Sequence, residues 1–297
     1  MSRLIVNADD FGLTPGVNRA IIELHEAGVL TSTTLMARAG ATNEAINLAL
    51  AHPTLGVGCH IVLVDGEPVL SPQKDVPHLA DPVDGAFRKK LGEFLIWLYT
   101  GRADGLTSMA IRAQEIEAEA FAQIARLQDR GLHLTHVDTH KHTHMFPAVL
   151  RPVLRAAKRA GIHRIRNPFE PEWAVRATPR ASWLRSAEVF ALRRFGPCFR
   201  RLIAEEGFAT TDGAIAVAGT GVLDAAMVRS LLQKLPQGTW ELVTHPGYND
   251  AGLARIRTRL RESRDIERNA LQAISEFPTI ALASFAGLDL ASTSSIV

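Results

Sequence analysis

Residues 4–10 read LIVNADD, an apolar run that ends on two adjacent carboxylates. The run is short, branched and bounded by polar residues, so it predicts a β-strand. The same arrangement recurs along the chain, and that recurrence decides the fold. LGVGCH ends on His60, LTHVDTH on His140, IHRIRN on Arg166 and Asn167, and WELVTH on His245. Unusual polar residues therefore stand at the carboxyl ends of predicted strands. In a β/α barrel those ends share one rim, where active sites form. Segments far apart in sequence would converge on a single pocket.

The stretches between these strands carry helical signals. PGVNRAIIELHEAG has Pro15 near its start and Gly28 at its end. ATNEAINLALAHP, IRAQEIEAEAFAQIARLQDRG, FPAVLRPVLRAAKRAG and VLDAAMVRSLLQKL read as further helices, while VLTSTTLMA, DGAIAV and TIALASF add strands. Alternation over about eight strands predicts a parallel sheet. At 297 residues a closed or nearly closed, TIM-like β/α barrel is the first expectation and a doubly wound open sheet the second. There is no sequence repeat and no linker. One domain is expected over 1–297, with insertions at about 64–108 and 168–209. The first insertion is rich in Pro, Asp and Gly, and a long loop of that kind suits a lid over a site.

Composition narrows the function. Lys plus Arg number 33 against 31 for Asp plus Glu, a formal charge of only +2, which gives no case for nucleic-acid binding. The basic runs RRFGPCFRR and ARIRTRLRESR read as solvated helix faces. The two cysteines, Cys59 and Cys198, exclude a disulfide scaffold and make a reducing compartment the default. The N-terminal apolar run is too short for a signal peptide, and no window approaches the ~18 apolar residues of a membrane span. A soluble, cytoplasmic protein is expected. GxSxG, Walker and GxGxxG patterns are absent, so triad and nucleotide chemistry lack support.

The strand-end residues suggest a metal. Asp9 and Asp10 would repel each other and lose solvation at a buried strand end, a cost that a cation removes; capping of the helix near Thr14 is the bland alternative. Asp with two His is a familiar set for a divalent ion that keeps a position open for water, and His60 gains weight from such partners. HVDTHKHTH, residues 136–144, places His136 and Asp138 in a strand and His140 at the rim. His142 and His144 then fall in a loop that can line a pocket. Asp138 is a candidate to orient a ligand imidazole by accepting its other N–H. His245, fixed by the following Pro246 and Gly247, suits a general acid or a structural role. Arg166 either grips a substrate oxygen or pairs with Asp138 or Asp10.

NADDFG, TSTTLM, GVGCHIVL, THVDTHKHTHMFP and THPGYND together resemble the YdjC-like carbohydrate deacetylases. That family includes chito-oligosaccharide deacetylases and a hopanoid-biosynthesis-associated branch, to which GCHIVLVDGEPVL is especially similar. The resemblance spans residues 3–147 and returns near 240–250. It implies a barrel related to the polysaccharide deacetylases and one divalent metal ion; the ligand set suits zinc, with magnesium the alternative. It also implies Asp9 as general base and Asp10, His60 and His140 as metal ligands. Thr139 departs mildly from the family's usual Ser. The expected reaction removes an N-acetyl group from an amino sugar, with His245 protonating the leaving amine and His142, His144 and Arg166 contacting the sugar. A metal-dependent phosphoesterase and a non-catalytic metal- or sugar-binding protein are the rivals. The resemblance leaves room for a homodimer.

Overall fold

The computed structural model describes residues 2–100, 108–178 and 183–289. Residues 101–107 and 179–182, which belong to the two expected insertions, lie outside the described residues.

The strands are β1 (Ser2–Phe11), β2 (Ser32–Leu35), β3 (Gly56–Ile61), β4 (Val137–Thr139), β5 (Gly213–Ile215), β6 (Gly238–Thr244) and β7 (Ala281–Ala283). They form one sheet in the order β4-β3-β2-β1-β6-β5, and the strand pairs are parallel. β7 pairs the first half of β1 while β2 pairs the second. Two single bridges carry the sheet round from β4 toward β5. Val137 N–H donates to Arg164 O at 3.0 Å, and Ile165 N–H donates to Ala209 O at 3.1 Å. The predicted strand IHRIRN is thus reduced to bridges at Arg164 and Ile165. The result is a distorted β/α barrel.

The helices are α1 (Pro15–Glu26), α2 (Thr42–Ala51), α3 (Leu91–Thr100), α4 (Met109–Gln128), α5 (Pro147–Arg159), α6 (Glu172–Ala177), α7 (Trp183–Leu192), α8 (Gly196–Glu206), α9 (Ala225–Gln233), α10 (Ala251–Ala254) and α11 (Ser263–Ala270). Local chemistry fixes several starts: the hydroxyls of Thr14 and Ser108 and the carboxylates of Asp224 and Asp250 accept backbone N–H groups in the first turns.

β1 shows how the barrel sorts its residues. Leu4, Val6 and Ala8 face the main apolar core with the surrounding helices. Ile5 faces a small interior cluster with Ala209, Phe285 and Leu288. Both faces are buried, so the strand reads as a continuous apolar run rather than an alternating one. Phe285 closes the floor by stacking on His136, with ring centroids 3.8 Å apart and planes 10° from parallel. Gly58 makes room for that imidazole, since a Cβ there would lie 2.6 Å from it.

The described start of the first insertion is bolted to α4. Glu115 on α4 accepts the N–H groups of His78 and Leu79 at 3.0 and 2.7 Å, and Glu119 accepts those of Val69 and Leu70 at 2.7 and 3.0 Å. Gln123 binds both the N–H and the C=O of Val62. Arg112, Glu115, Glu119 and Gln123 on α4 are accordingly buried.

Candidate active site

A bulge near the end of β1 brings both aspartates to one place. The β1–β2 register shifts between Ala8 and Phe11, and Asp10 takes a left-handed φ of 66°. The alternation breaks there, so two adjacent carboxylates both reach the barrel mouth.

Asp10, His60 and His140 converge, with one donor atom from each lying within 4.8 Å of the others. Asp10 Oδ1 is 3.6 Å from His60 Nε2 and 3.5 Å from His140 Nδ1. The two imidazole nitrogens are 3.2 Å apart. Asp10 Oδ1 is buried and has no hydrogen-bond partner. Its sister Oδ2 accepts from Arg264 at 2.5 Å. One free carboxylate oxygen beside two imidazole nitrogens fits a divalent cation.

Beneath this triangle lies a charged layer. Asp138 Oδ1 is 2.8 Å from His60 Nδ1, so His60 turns Nε2 toward the triangle. Arg166 donates to both oxygens of Asp9 at 2.9 and 2.6 Å and to Glu241 Oε1 at 2.7 Å, and it also pairs with Asp138. Asn7 Nδ2 adds a bond to Asp9 at 3.0 Å, and Thr34 Oγ1 contacts Asp9, His60 and Asp138.

The shared charges set the protonation states. Burial penalises ionised Asp9, yet Arg166, His60 and His245 outweigh it and hold the carboxyl well below the usual range. Asp10 is likewise held low against burial by Arg264, His140 and His60. Burial disfavours charge on His60, but Asp138, Asp9 and Asp10 prevail and push its pKa up to about 9. The field at that imidazole thus favours positive charge, as a cation requires. Glu241 goes the other way: burial pushes it up to about 7 despite Arg166, and its Oε2 has no partner.

His245 lies across from Asp9, with Nε2 3.7 Å from Asp9 Oδ2. Its backbone N–H donates to Glu267 at 2.7 Å, and its Nδ1 stands 3.8 Å from the same carboxylate. Burial disfavours the imidazolium, but Glu267, Asp9 and Asp10 together raise its pKa.

Two expected substrate contacts are placed differently. Arg166 and His144 have no exposed surface. His144 is fixed between Thr139 Oγ1 at 2.7 Å and the carbonyl of Arg166 at 3.2 Å, and Arg166 spends its guanidinium on carboxylates. Of the alternatives for Arg166, pairing with Asp138 holds, with Asp9 in place of Asp10. His142 remains partly exposed at the mouth. The run ARIRTRLRESR is also corrected: Arg264 within it is 1% exposed and points at the site.

Sequence reasoning passed over Asn7, Thr34, Glu241, Arg264 and Glu267. Glu241 carried a signal, a lone carboxylate inside an apolar strand. Arg264, Glu267 and Ala270 share the buried face of α11 at helical spacing, but the face is polar and so does not read as one.

Comparisons with known proteins place nearly the whole chain. The model of the family described as YdjC-like protein matches residues 3–276. A carbohydrate deacetylase from Geobacillus stearothermophilus is 36% identical over 251 residues, 84% of this chain and 81% of that protein. One from Thermoanaerobacter pseudethanolicus is 31% identical over 271 residues, 91% of each. A third, from Brevibacillus brevis, is 46% identical over 156 residues, which span 52% of this chain and only 56% of that protein. Among solved structures, a candidate cellobiose-phosphate cleavage protein from Enterococcus faecalis superposes with a TM-score of 0.70 at 25% identity, covering 96% of this chain and 97% of that one. A lactam utilization protein from Thermus thermophilus shares the fold, with a TM-score of 0.51 at 15% identity over 95% and 99%. With a family match running through nearly the whole barrel, the chain belongs to the YdjC-like proteins.

Proposed function

We propose that the protein is a carbohydrate deacetylase that hydrolyses an N-acetyl group from an amino sugar or an N-acetylated glycan or glycolipid. A divalent ion, zinc or magnesium, would be held by Asp10, His60 and His140. The observation that carries this reading is the free Asp10 Oδ1 facing two imidazole nitrogens at 3.5–3.6 Å, beside Asp9 and His245. When bound, the ion supplies Lewis-acid polarisation of the amide carbonyl and of water.

The chain's own residues do the rest. Asp9 stays ionised at working pH and takes the proton of the attacking water. Arg166 and Asn7 fix its carboxylate, so it approaches in one orientation. His245 gives its Nε2 proton to the departing amine nitrogen, which leaves poorly as an anion. Base and acid stand 3.7 Å apart, so both can reach one reacting amide. Asp138 holds the His60 ring, and His142 contacts the sugar at the mouth. Arg166 and His144 act from beneath it.

In this proposal the chain is one barrel domain with two insertions, acting in the cytoplasm on a small-molecule substrate, alone or as a homodimer. Among the described residues no helix is long and apolar enough to cross a membrane. Screening the metal-loaded protein against N-acetylated sugars and p-nitrophenyl phosphate tests the proposal. Acetate release supports it; phosphate release without acetate would replace it with a phosphoesterase, and neither product with a binding protein.

A further inference from the structure

Five residues other than glycine adopt left-handed φ among the described residues: Asp10, Asp65, Lys141, His142 and Ala216. All five lie at or just beyond the carboxyl end of a strand. Backbone strain gathered at one rim marks positions that the surroundings over-determine. The densest case is Lys141 and His142, at φ 55° and 52°, directly after His140. Left-handed φ brings the Cβ of such a residue against its own backbone, so something must hold the turn.

Part of the hold is local: Thr139 Oγ1 accepts the backbone N–H of His144 at 3.0 Å. The rest comes from two distant segments. Lys141 Nζ pairs with Asp65 Oδ2 at 2.7 Å, and Arg257 pairs with Asp65 Oδ1 at 3.3 Å. Arg257 also donates to Lys89 O at 2.7 Å, and Lys141 Nζ reaches the same carbonyl at 3.5 Å. Asp65 is tied back by its N–H to Arg88 O at 2.9 Å. One carboxylate thus joins the bolted insertion, the turn after β4 and the chain beyond β6.

We propose that Asp65, clamped between Lys141 and Arg257, is a positioning residue that holds the left-handed turn and so presents the His140 imidazole to the ion. This rests on the metal reading above. The clip acts by keeping His140 Nδ1 beside Asp10 and His60.

Zn2+ titrated into the metal-free full chain against a competing chelator tests it. Asp65→Asn should weaken Zn2+ binding by about tenfold, the loss typical of groups that orient a ligand. Asn tolerates left-handed φ, so the backbone at 65 is kept, and unchanged circular dichroism of the metal-free variant places the loss in the site. Lys141→Met should lose as much. Lys141→Gly should bind close to wild type, because glycine adopts the turn without the clip. Adding Asp65→Asn to Lys141→Gly should then cost nothing more. Unchanged binding by Asp65→Asn, or a Lys141→Gly variant as weak as Lys141→Met, overturns the clip. Failure of the wild type to bind either Zn2+ or Mg2+ overturns the metal reading and the clip with it.

Discussion

The Arg264 guanidinium holds Oδ2 of Asp10 at 2.5 Å, while Oδ1 of the same carboxylate has no partner. Both residues are nearly sealed from solvent, with side chains 1% and 4% exposed. Removing one member of a buried pair leaves the other charge uncompensated, at roughly 3–5 kcal/mol. Metal-free Arg264→Met should therefore be less stable than wild type by about that much. A cation would restore part of the loss, so Zn2+ should raise the melting temperature of the variant more than that of wild type. Thermal unfolding with and without Zn2+ measures this, and equal shifts in both proteins would count against the pairing.

Asp9→Asn should keep its metal and lose turnover. Asp9 lies outside the Asp10, His60 and His140 group, and the second cluster it forms with His60 and Asp138 is already neutralised by Arg166. An amide cannot accept the water proton, and a lost general base typically costs a factor of about 10²–10⁴. Metal analysis beside an acetate-release assay checks both halves. Turnover near wild type would remove Asp9 from the mechanism.

His245 must carry a proton to act as acid, and its pKa is raised overall, with Glu267 the leading contributor against the burial that lowers it. Activity should fall as pH rises through that value, because the donor form is lost. Glu267→Gln removes a charge that favours the imidazolium. The alkaline limb of the kcat profile should then move to lower pH. An unmoved limb would show that another group sets it.

The buried floor should make the fold acid-sensitive. Burial pushes His136 down to about 3, from an ordinary value near 6.5. Between those values the unfolded chain binds a proton that the folded chain refuses, so stability falls as pH falls, by up to ~1.4 kcal/mol per unit. His136→Phe keeps an aromatic ring against Phe285 and discards a buried Nε2 that has no partner. The variant should match or exceed wild-type stability at pH 7 and lose less of it at pH 4.5, as urea unfolding at the two pH values would report.

The architecture was legible because alternation and strand-end polarity are local signals. LIVNA, LGVGCH and WELVTH all became strands, and His60, His140 and Asp10 met as their positions implied. The bulge at Asp9–Asp10 was not legible, since it depends on pairing with β2 rather than on residue type. Arg166 and His144 looked like rim residues because the sequence gives position along a strand but not depth in a barrel. Arg264 sat in a run of arginines, where charge density suggested solvent; only the packing of α11 against the mouth shows that one of them turns inward. The burial of Glu115 and Glu119 on α4 was not legible either, because their partners are backbone amides of a loop with no pattern of its own.

Those glutamates bear on how new specificities can arise on this scaffold. The segment that borders the mouth takes its shape from α4, through backbone groups that any residue possesses. Its side chains are therefore free to vary while its path stays put. Grafting the segment alone onto a relative lacking Glu115 and Glu119 would transplant a sequence without its conformation, whereas moving helix and loop together would transplant a working entrance.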